Sequence, residues 1–186
     1  MIFWIVLAVV VIYLISQYNG LVEVKNGASK AWANIDVLLK QRHEELPKLV
    51  DTCKQYMQHE QVTLEKVIAA RSRVSDAREA QNVSALGQAE GVLRSGLGQL
   101  FALAENYPDL KANEQFLHLQ SRISGLESAI ADRREFYNDS VNINNVRIEQ
   151  FPGVVLARWF NFKAFEMLKF SSEELQDVDI GKRFNT

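Results

Sequence analysis

Ile2-Phe3-Trp4-Ile5-Val6-Leu7-Ala8-Val9-Val10-Val11-Ile12-Tyr13-Leu14-Ile15 is an unbroken apolar run, and the chain after it is mostly polar and helix-favouring. That contrast predicts a membrane anchor followed by a helical domain. The run alone is short, because about 20 residues at about 1.5 Å each are needed to cross roughly 30 Å of hydrocarbon. Ser16, Gln17 and Tyr18 continue the helix, Leu21 and Val22 extend its apolar character, and Tyr13 and Tyr18 suit the membrane–water boundary. A cleaved signal peptide would carry basic residues before the run and a small-residue cleavage site after it, and neither is present. A buried core helix is the other reading of a run this long. Its position at the start of the chain, where no earlier element covers it, favours the anchor, with Ile2, Phe3, Trp4, Ile5, Tyr13 and Ile15 as anchor residues.

Orientation follows from the basic residues near the anchor, which tend to stay cytoplasmic. Lys25 and Lys30 follow the run, Lys40 and Arg42 stand close behind, and only the terminal amine precedes it. The expectation is a single-pass protein with its domain on the cytoplasmic side. Glu23 and Asp36 count for little in this rule. The lone Cys53 has no intramolecular disulfide partner, which fits a reducing compartment. A net charge of -2 with both signs interspersed leaves no broad basic face, so nucleic acid is not an expected partner.

Three prolines and scarce β-branched alternation make the rest an all-α chain. A first helix runs on from the anchor to about Met57, with Ala28, Ala31, Trp32, Ile35, Leu39, Leu46, Leu49, Val50 and Cys53 as its apolar stripe and a kink expected at Pro47. A second, from about Val62 to Glu79, carries Leu64, Val67, Ile68 and Val74. A third, capped by Asn82 or Ser84, carries Leu86, Val92, Leu93, Leu97, Leu100 and Leu103 towards Glu105. Its four glycines, Gly87, Gly91, Gly96 and Gly98, lower helix propensity by up to about 1 kcal/mol each, so packing must hold it. Asn106-Tyr107-Pro108-Asp109 is a stop-and-turn signal. A fourth helix, from about Ala112 to Gln150, buries Phe116, Leu119, Ile123, Leu126, Ile130, Tyr137, Val141 and Ile148 before Phe151-Pro152-Gly153 ends it. Short connections favour antiparallel neighbours, giving an antiparallel up-down-up-down four-helix bundle with coiled-coil character, whose longer first and fourth helices project as a stalk. The expected divisions are an anchor at 1–18, the bundle at 19–152 and an aromatic amphipathic segment at 153–186.

Tyr18-Asn19-Gly20-Leu21-Val22, Ala31-Trp32, Ile35-Asp36-Val37 and Leu39-Lys40 leading into Arg42-His43 and Pro47 form a pattern that continues down the chain. It includes Glu105-Asn106-Tyr107-Pro108-Asp109-Leu110-Lys111-Ala112-Asn113, Leu126-Glu127, Phe136-Tyr137-Asn138 and Phe151-Pro152. In order and spacing it resembles the bacterial LemA family along nearly the whole chain. The resemblance implies a membrane-anchored antiparallel helical bundle, here in the bacterial cytoplasmic (inner) membrane, with no established catalytic activity. Relatives needed to form magnetosome membranes, and family members that accompany membrane metalloproteases genetically, make membrane organisation and a membrane metalloprotease partner the leads it offers.

Catalytic constellations are not visible. Dinuclear carboxylate bundles use Glu-x-x-His pairs, whereas Glu114 lies four residues before His118, and neither His43 nor His59 belongs to a His-Glu-x-x-His motif. Cys53 lies on the apolar stripe and reads as a small buried hydrophobe. The glycines from Gly87 to Gly98 lack the lysine-serine ending of a phosphate-cradling loop. No enzyme, metal or cofactor is therefore expected.

Two groups of residues remain as candidate sites. Asp36, Arg42, Arg71, Arg134, Asn138, Asn142 and Asn145 lie near the buried stripes and read either as an interior polar network fixing helix register or as a ligand or switch site, since an unpaired buried polar group is costly. Phe151, Trp159, Phe160, Phe162, Phe165 and Phe170, interleaved with Arg158, Lys163 and Lys169, suit seating in lipid headgroups or, equally, capping of the bundle core or contact with another subunit. The expected function is a non-enzymatic membrane scaffold that self-assembles as a homo-oligomer. An adaptor for a membrane protease or envelope-stress system, and a small-ligand sensor or uncharacterised enzyme, are the alternatives.

Overall fold

The computed structural model describes residues 1–169, which form six helices and no strand. These are α1 (Ile2–Lys54), α2 (Gln61–Glu79), α3 (Val83–Ala104), α4 (Pro108–Lys111), α5 (Glu114–Glu149) and α6 (Gly153–Trp159). Phe170 and the remainder of the 153–186 segment lie outside the described residues. The described residues divide into two compact units, the first comprising Met1–Val37 with Ala131–Met167 and the second Leu38–Ile130 with Leu168 and Lys169.

In the second unit the late part of α1 buries Leu39, Leu46, Leu49, Val50 and Cys53 at helical spacing. The helix continues through Pro47 to Lys54. An interior proline costs about 3 kcal/mol. Burying leucines on either side of it, at about 1.5–3 kcal/mol each, outweighs that cost. On α2 the buried positions are Leu64, Val67, Ala70, Val74 and Ala77. Ile68, expected inside, is exposed because it stands one position round the helix from Val67, and the small Ala70 and Ala77 complete the stripe instead. Val92 of α3 is exposed for the same reason of phase, next to the buried Leu93.

The α2–α3 connection is a tight left-handed cap. Gln81 adopts φ 52°, its N–H reaches the Arg78 carbonyl at 3.0 Å, and the Asn82 N–H reaches the Ala77 carbonyl at 3.0 Å. The Asn82 side chain then accepts from the Ala85 N–H at 2.9 Å and starts α3. Two α3 glycines mark close approaches: Gly96 meets the Val67 side chain, and at Gly87 a Cβ would collide with the Lys169 backbone carbonyl. Asn106-Tyr107 stops α3 as its chemistry requires, but Pro108 opens the one-turn helix α4, where a missing N–H is harmless. Asn113 accepts from the Phe116 N–H at 2.9 Å and caps α5. Phe116, Leu119, Ile123 and Ile130 of α5 are buried. Leu126, expected among them, is half-buried, because the place between Ile123 and Ile130 is shared with Glu127, whose carboxylate reaches Arg42.

In the first unit α1 and α5 run antiparallel, since Gln17 pairs with Arg147 while Trp32 meets Tyr137 with ring centroids 5.4 Å apart. Tyr137 and Val141 are buried and Ile148 half-buried. After the cis Phe151–Pro152 peptide, α6 turns back onto the end of α5, where a Cβ on Gly153 would lie 2.9 Å from the Arg147 carbonyl. Leu21, Leu156 and Ala157 form a small core with Ile148 and Phe162 against it. A second left-handed cap ends α6: Asn161 adopts φ 56°, its N–H reaches the Arg158 carbonyl and the Phe162 N–H reaches the Ala157 carbonyl.

Candidate functional site

Arg42 is on the buried stripe of α1, between Leu39 and Leu46, and is 1 % exposed. A guanidinium placed there must be paired, and two carboxylates supply the pairing: Nη2 donates to Glu90 of α3, and Nη1 donates to Glu127 of α5 at 2.5 Å. Burial acts to lower the Arg42 pKa, but the two carboxylates outweigh it and hold the group above its ordinary value. Arg94 stands 4.0 Å from the far oxygen of Glu127 and partly balances the second negative charge. Nearby, the buried Glu45 is paired with Arg122 at 3.1 Å and Lys48 at 3.2 Å. These charges fix which faces of α1, α3 and α5 meet.

Arg71 does not join this cluster. Its Nε donates to the His43 carbonyl at 3.0 Å and its Nη2 lies 2.7 Å from His43 Nε2. Burial, then the Arg71 charge, lowers the His43 pKa, so the imidazole is an acceptor here. Burial pushes the Cys53 thiol up to about 12, which keeps it protonated and weakly nucleophilic at neutral pH. Among the described residues no three His, Cys, Asp or Glu side chains gather closely enough to hold a metal ion.

The remaining polar candidates belong to the first unit and do not form one network. Asp36 and Asn138 are half-buried and Arg134 is buried, and none of the three stands without a partner. Asn142 is exposed. Asn145 instead works as a clamp: its Oδ1 accepts from the Phe165 N–H at 3.0 Å and its Nδ2 donates to the Phe165 carbonyl at 2.9 Å. The buried Asn144 donates to the Lys163 carbonyl at 3.4 Å, and the Tyr137 hydroxyl donates to the Glu166 carbonyl at 2.8 Å. Burial raises the Tyr137 pKa, so that hydroxyl remains a donor. Three side chains of α5 thus hold residues 163–166 as a strap.

The strap and the start of α1 enclose a recess of about 430 Å³. Tyr18 meets Phe160 at 4.8 Å and Phe162 at 5.9 Å between ring centroids, and the Lys25 ammonium lies 5.8 Å from the centre of the Phe162 ring. The four expected contact aromatics divide here: Phe162 and Phe165 are half-buried in the recess wall, Phe160 lines it while staying exposed, and Trp159 faces outward. The anchor residues Ile2, Phe3, Trp4, Ile5, Tyr13 and Ile15 are all exposed. α1 is long and apolar enough to cross a membrane, with only 6 % of its most apolar stretch buried.

Sequence reasoning missed Glu90, Glu127, Asn144 and the Tyr137 hydroxyl as partners. A buried-phase arginine demands acids, but which acids meet it is decided by contacts between distant segments. A LemA family model matches residues 31–181. Protein LemA of Metamycoplasma hominis is 27% identical over 168 residues, covering 89% of this chain and 74% of that protein. Magnetosome protein MamQ 2 of Paramagnetospirillum magneticum is 34% identical over 82 residues, and magnetosome protein MamQ of Magnetospirillum gryphiswaldense is equally similar. These matches cover 44% of this chain and 30% of each MamQ protein. With most of its length matched by the family model, the chain belongs to the LemA family.

Proposed function

We propose that this protein is a non-enzymatic, single-pass scaffold of the bacterial cytoplasmic membrane, with its helical domain on the cytoplasmic side, that self-assembles through its helices. The carrying observation is an apolar seam on the outer face of α5: Phe136, Ile143 and Val146 are all exposed, at spacings of seven and three residues. That is the a/d spacing of a coiled-coil seam. An up-down-up-down bundle is the arrangement supported by Arg71 of α2 meeting His43 of α1, Gly96 of α3 meeting Val67 of α2, and Glu127 of α5 meeting Arg42 of α1. Confinement of anchors to a membrane plane raises effective concentration, so that weak seam contacts build an oligomer. Closed cyclic symmetry is the expected form. The magnetosome names of two relatives add support for a role in membrane organisation.

The test is native mass measurement or particle imaging of the full chain in nanodiscs, beside a Phe136→Ser/Ile143→Ser variant. The expected result is an oligomer that the double substitution disperses. Monomeric wild-type particles overturn the scaffold, and a stoichiometric second protein on a monomer favours an adaptor for a membrane protease instead.

A further inference from the structure

The recess between α1 and the strap has a composition that its helices do not need. Its lining includes Lys25, Lys163, Asn26 and Asn161, together with aromatic rings, and contains no carboxylate among the described residues. Beside it, Phe151 just before α6 and Val155 and Trp159 on α6 are all exposed, with Trp159 80 % exposed and Phe151 84 % exposed. The inner face of α6 holds Gly153, Leu156 and Ala157, and its other face is apolar and exposed among the described residues.

The depth of this surface is set by the anchor. If the hydrocarbon begins at Ile2, about 20 helical residues carry α1 across it and end near Leu21. Lys25 stands about 6 Å further on, at about 1.5 Å per residue, within the headgroup layer. Tyr18, on the hydrocarbon side of that level, touches Phe160 and Phe162, so the aromatic side of the recess sits at the same boundary. Aromatic rings and lysines in that order, ring towards the acyl chains and ammonium towards water, match the polarity gradient of a bilayer surface. The recess is also preorganised. The Asn145 clamp and the Tyr137 hydrogen bond fix the strap that carries Lys163, and the left-handed Asn161 fixes the turn before it.

Resting on the membrane-anchored reading above, we infer that this recess binds the phosphate-bearing headgroup of an anionic membrane phospholipid. Lys25 and Lys163 contact the phosphodiester, Asn26 and Asn161 supply neutral donors, and Phe151, Val155, Trp159 and Phe160 enter the acyl-chain boundary beside it. Such a site ties the end of the domain to the bilayer and makes its orientation depend on lipid charge.

The test uses the full chain in detergent, with native mass measurement of lipid retained after addition of phosphatidylglycerol or phosphatidylcholine. The expected result is a preference for phosphatidylglycerol that falls about fivefold for each of Lys25→Gln and Lys163→Gln, and about 25-fold for the pair. Both lysines are exposed, so the lipid-free melting temperature should not change. Equal retention of the two lipids by the wild type overturns the site, as does a preference that survives the double substitution. Inorganic phosphate displacing the lipid at low millimolar concentration makes the recess a free-phosphate site, and a co-purified protein covering Trp159 makes it a protein interface; either overturns the lipid assignment. Carbonate extraction of the same variants separates this inference from the anchor. Retention in the membrane without lipid preference defeats only the headgroup site, whereas release of the wild-type chain defeats the membrane reading itself.

Discussion

The two ends of α1 both carry large apolar side chains and meet opposite environments. Between Ile2 and Ile15 the large apolar residues are exposed, whereas Leu39, Leu46, Leu49, Val50 and Cys53 are buried. What separates them is periodicity. The first stretch has no polar face at all, so one-sided packing against a protein core would leave most of it in water. The second interleaves its stripe with Lys40, Gln41, Glu44 and Lys48, which stay at the surface. Helix amphipathicity thus divides a single continuous helix into a segment suited to lipid and a segment suited to protein.

The same substitution made at both ends breaks this comparison if it is wrong. Leu49→Lys removes a fully buried side chain and leaves a charge without a partner, a loss of about 5 kcal/mol from cavity and desolvation together. Denaturant unfolding should show a collapsed or strongly destabilised domain. Val9→Lys should leave the domain folded and instead raise the cost of membrane insertion by about 3 kcal/mol, read as increased release in alkaline carbonate. If Val9→Lys destabilises the domain as much as Leu49→Lys does, the first segment is a core helix and not an anchor.

The polar residue inside the buried stripe sharpens the comparison. Arg42→Ala leaves the buried Glu90 without its Arg42 partner and is expected to cost about 3–5 kcal/mol. Arg42→Met combined with Glu90→Leu should recover most of that loss, because a packed apolar pair avoids desolvating charge. Denaturant midpoints for the single and double variants decide it. A single variant within about 1 kcal/mol of wild type means that the ion cluster does not hold α1 to α3.

A smaller effect concerns acid. Because burial and Arg71 lower the His43 pKa from its ordinary 6.5, the folded state resists a proton that the unfolded chain accepts. The stability this supplies is complete above about pH 6.5 and is lost as pH falls through the lower folded value. His43→Gln keeps an acceptor for Arg71 without titrating. The melting temperature of the wild type should therefore fall more than that of the variant between about pH 7.5 and about pH 5. Parallel slopes contradict the assignment.

The features visible in the sequence were those set by neighbouring residues. The apolar run, the Asn82 cap, the stop at Tyr107-Pro108 and the stripe through Leu39 and Leu46 all arise from chemistry within one or two helical turns. Arg42 stood among the polar residues near the buried stripes, but its partners Glu90 and Glu127 lie 48 and 85 residues away, and local pattern holds no record of such distances. The strap escaped for a related reason. Asn145 looked like an interior amide, and only the return of Phe165 beneath it, after the left-handed turn at Asn161, makes it a clamp on backbone. Ile68 and Val92 were misplaced by a single helical step, where small residues at Ala70 and Gly96 permit a closer packing than large side chains suggest.

The most direct measurement is a spin-label scan along α1 of the full chain in lipid vesicles, with single cysteines at Ile5, Val9, Ile12, Tyr18, Lys25, Val37 and Leu49 in a Cys53→Ala background. Accessibility to oxygen, which concentrates in the hydrocarbon, should peak near Val9 and fall through Tyr18. Accessibility to a water-confined nickel reagent should rise at Lys25 and Val37, and Leu49 should be shielded from both. Shielding from both reagents at Val9, as at Leu49, would show that the apolar run is covered by protein and would contradict the account.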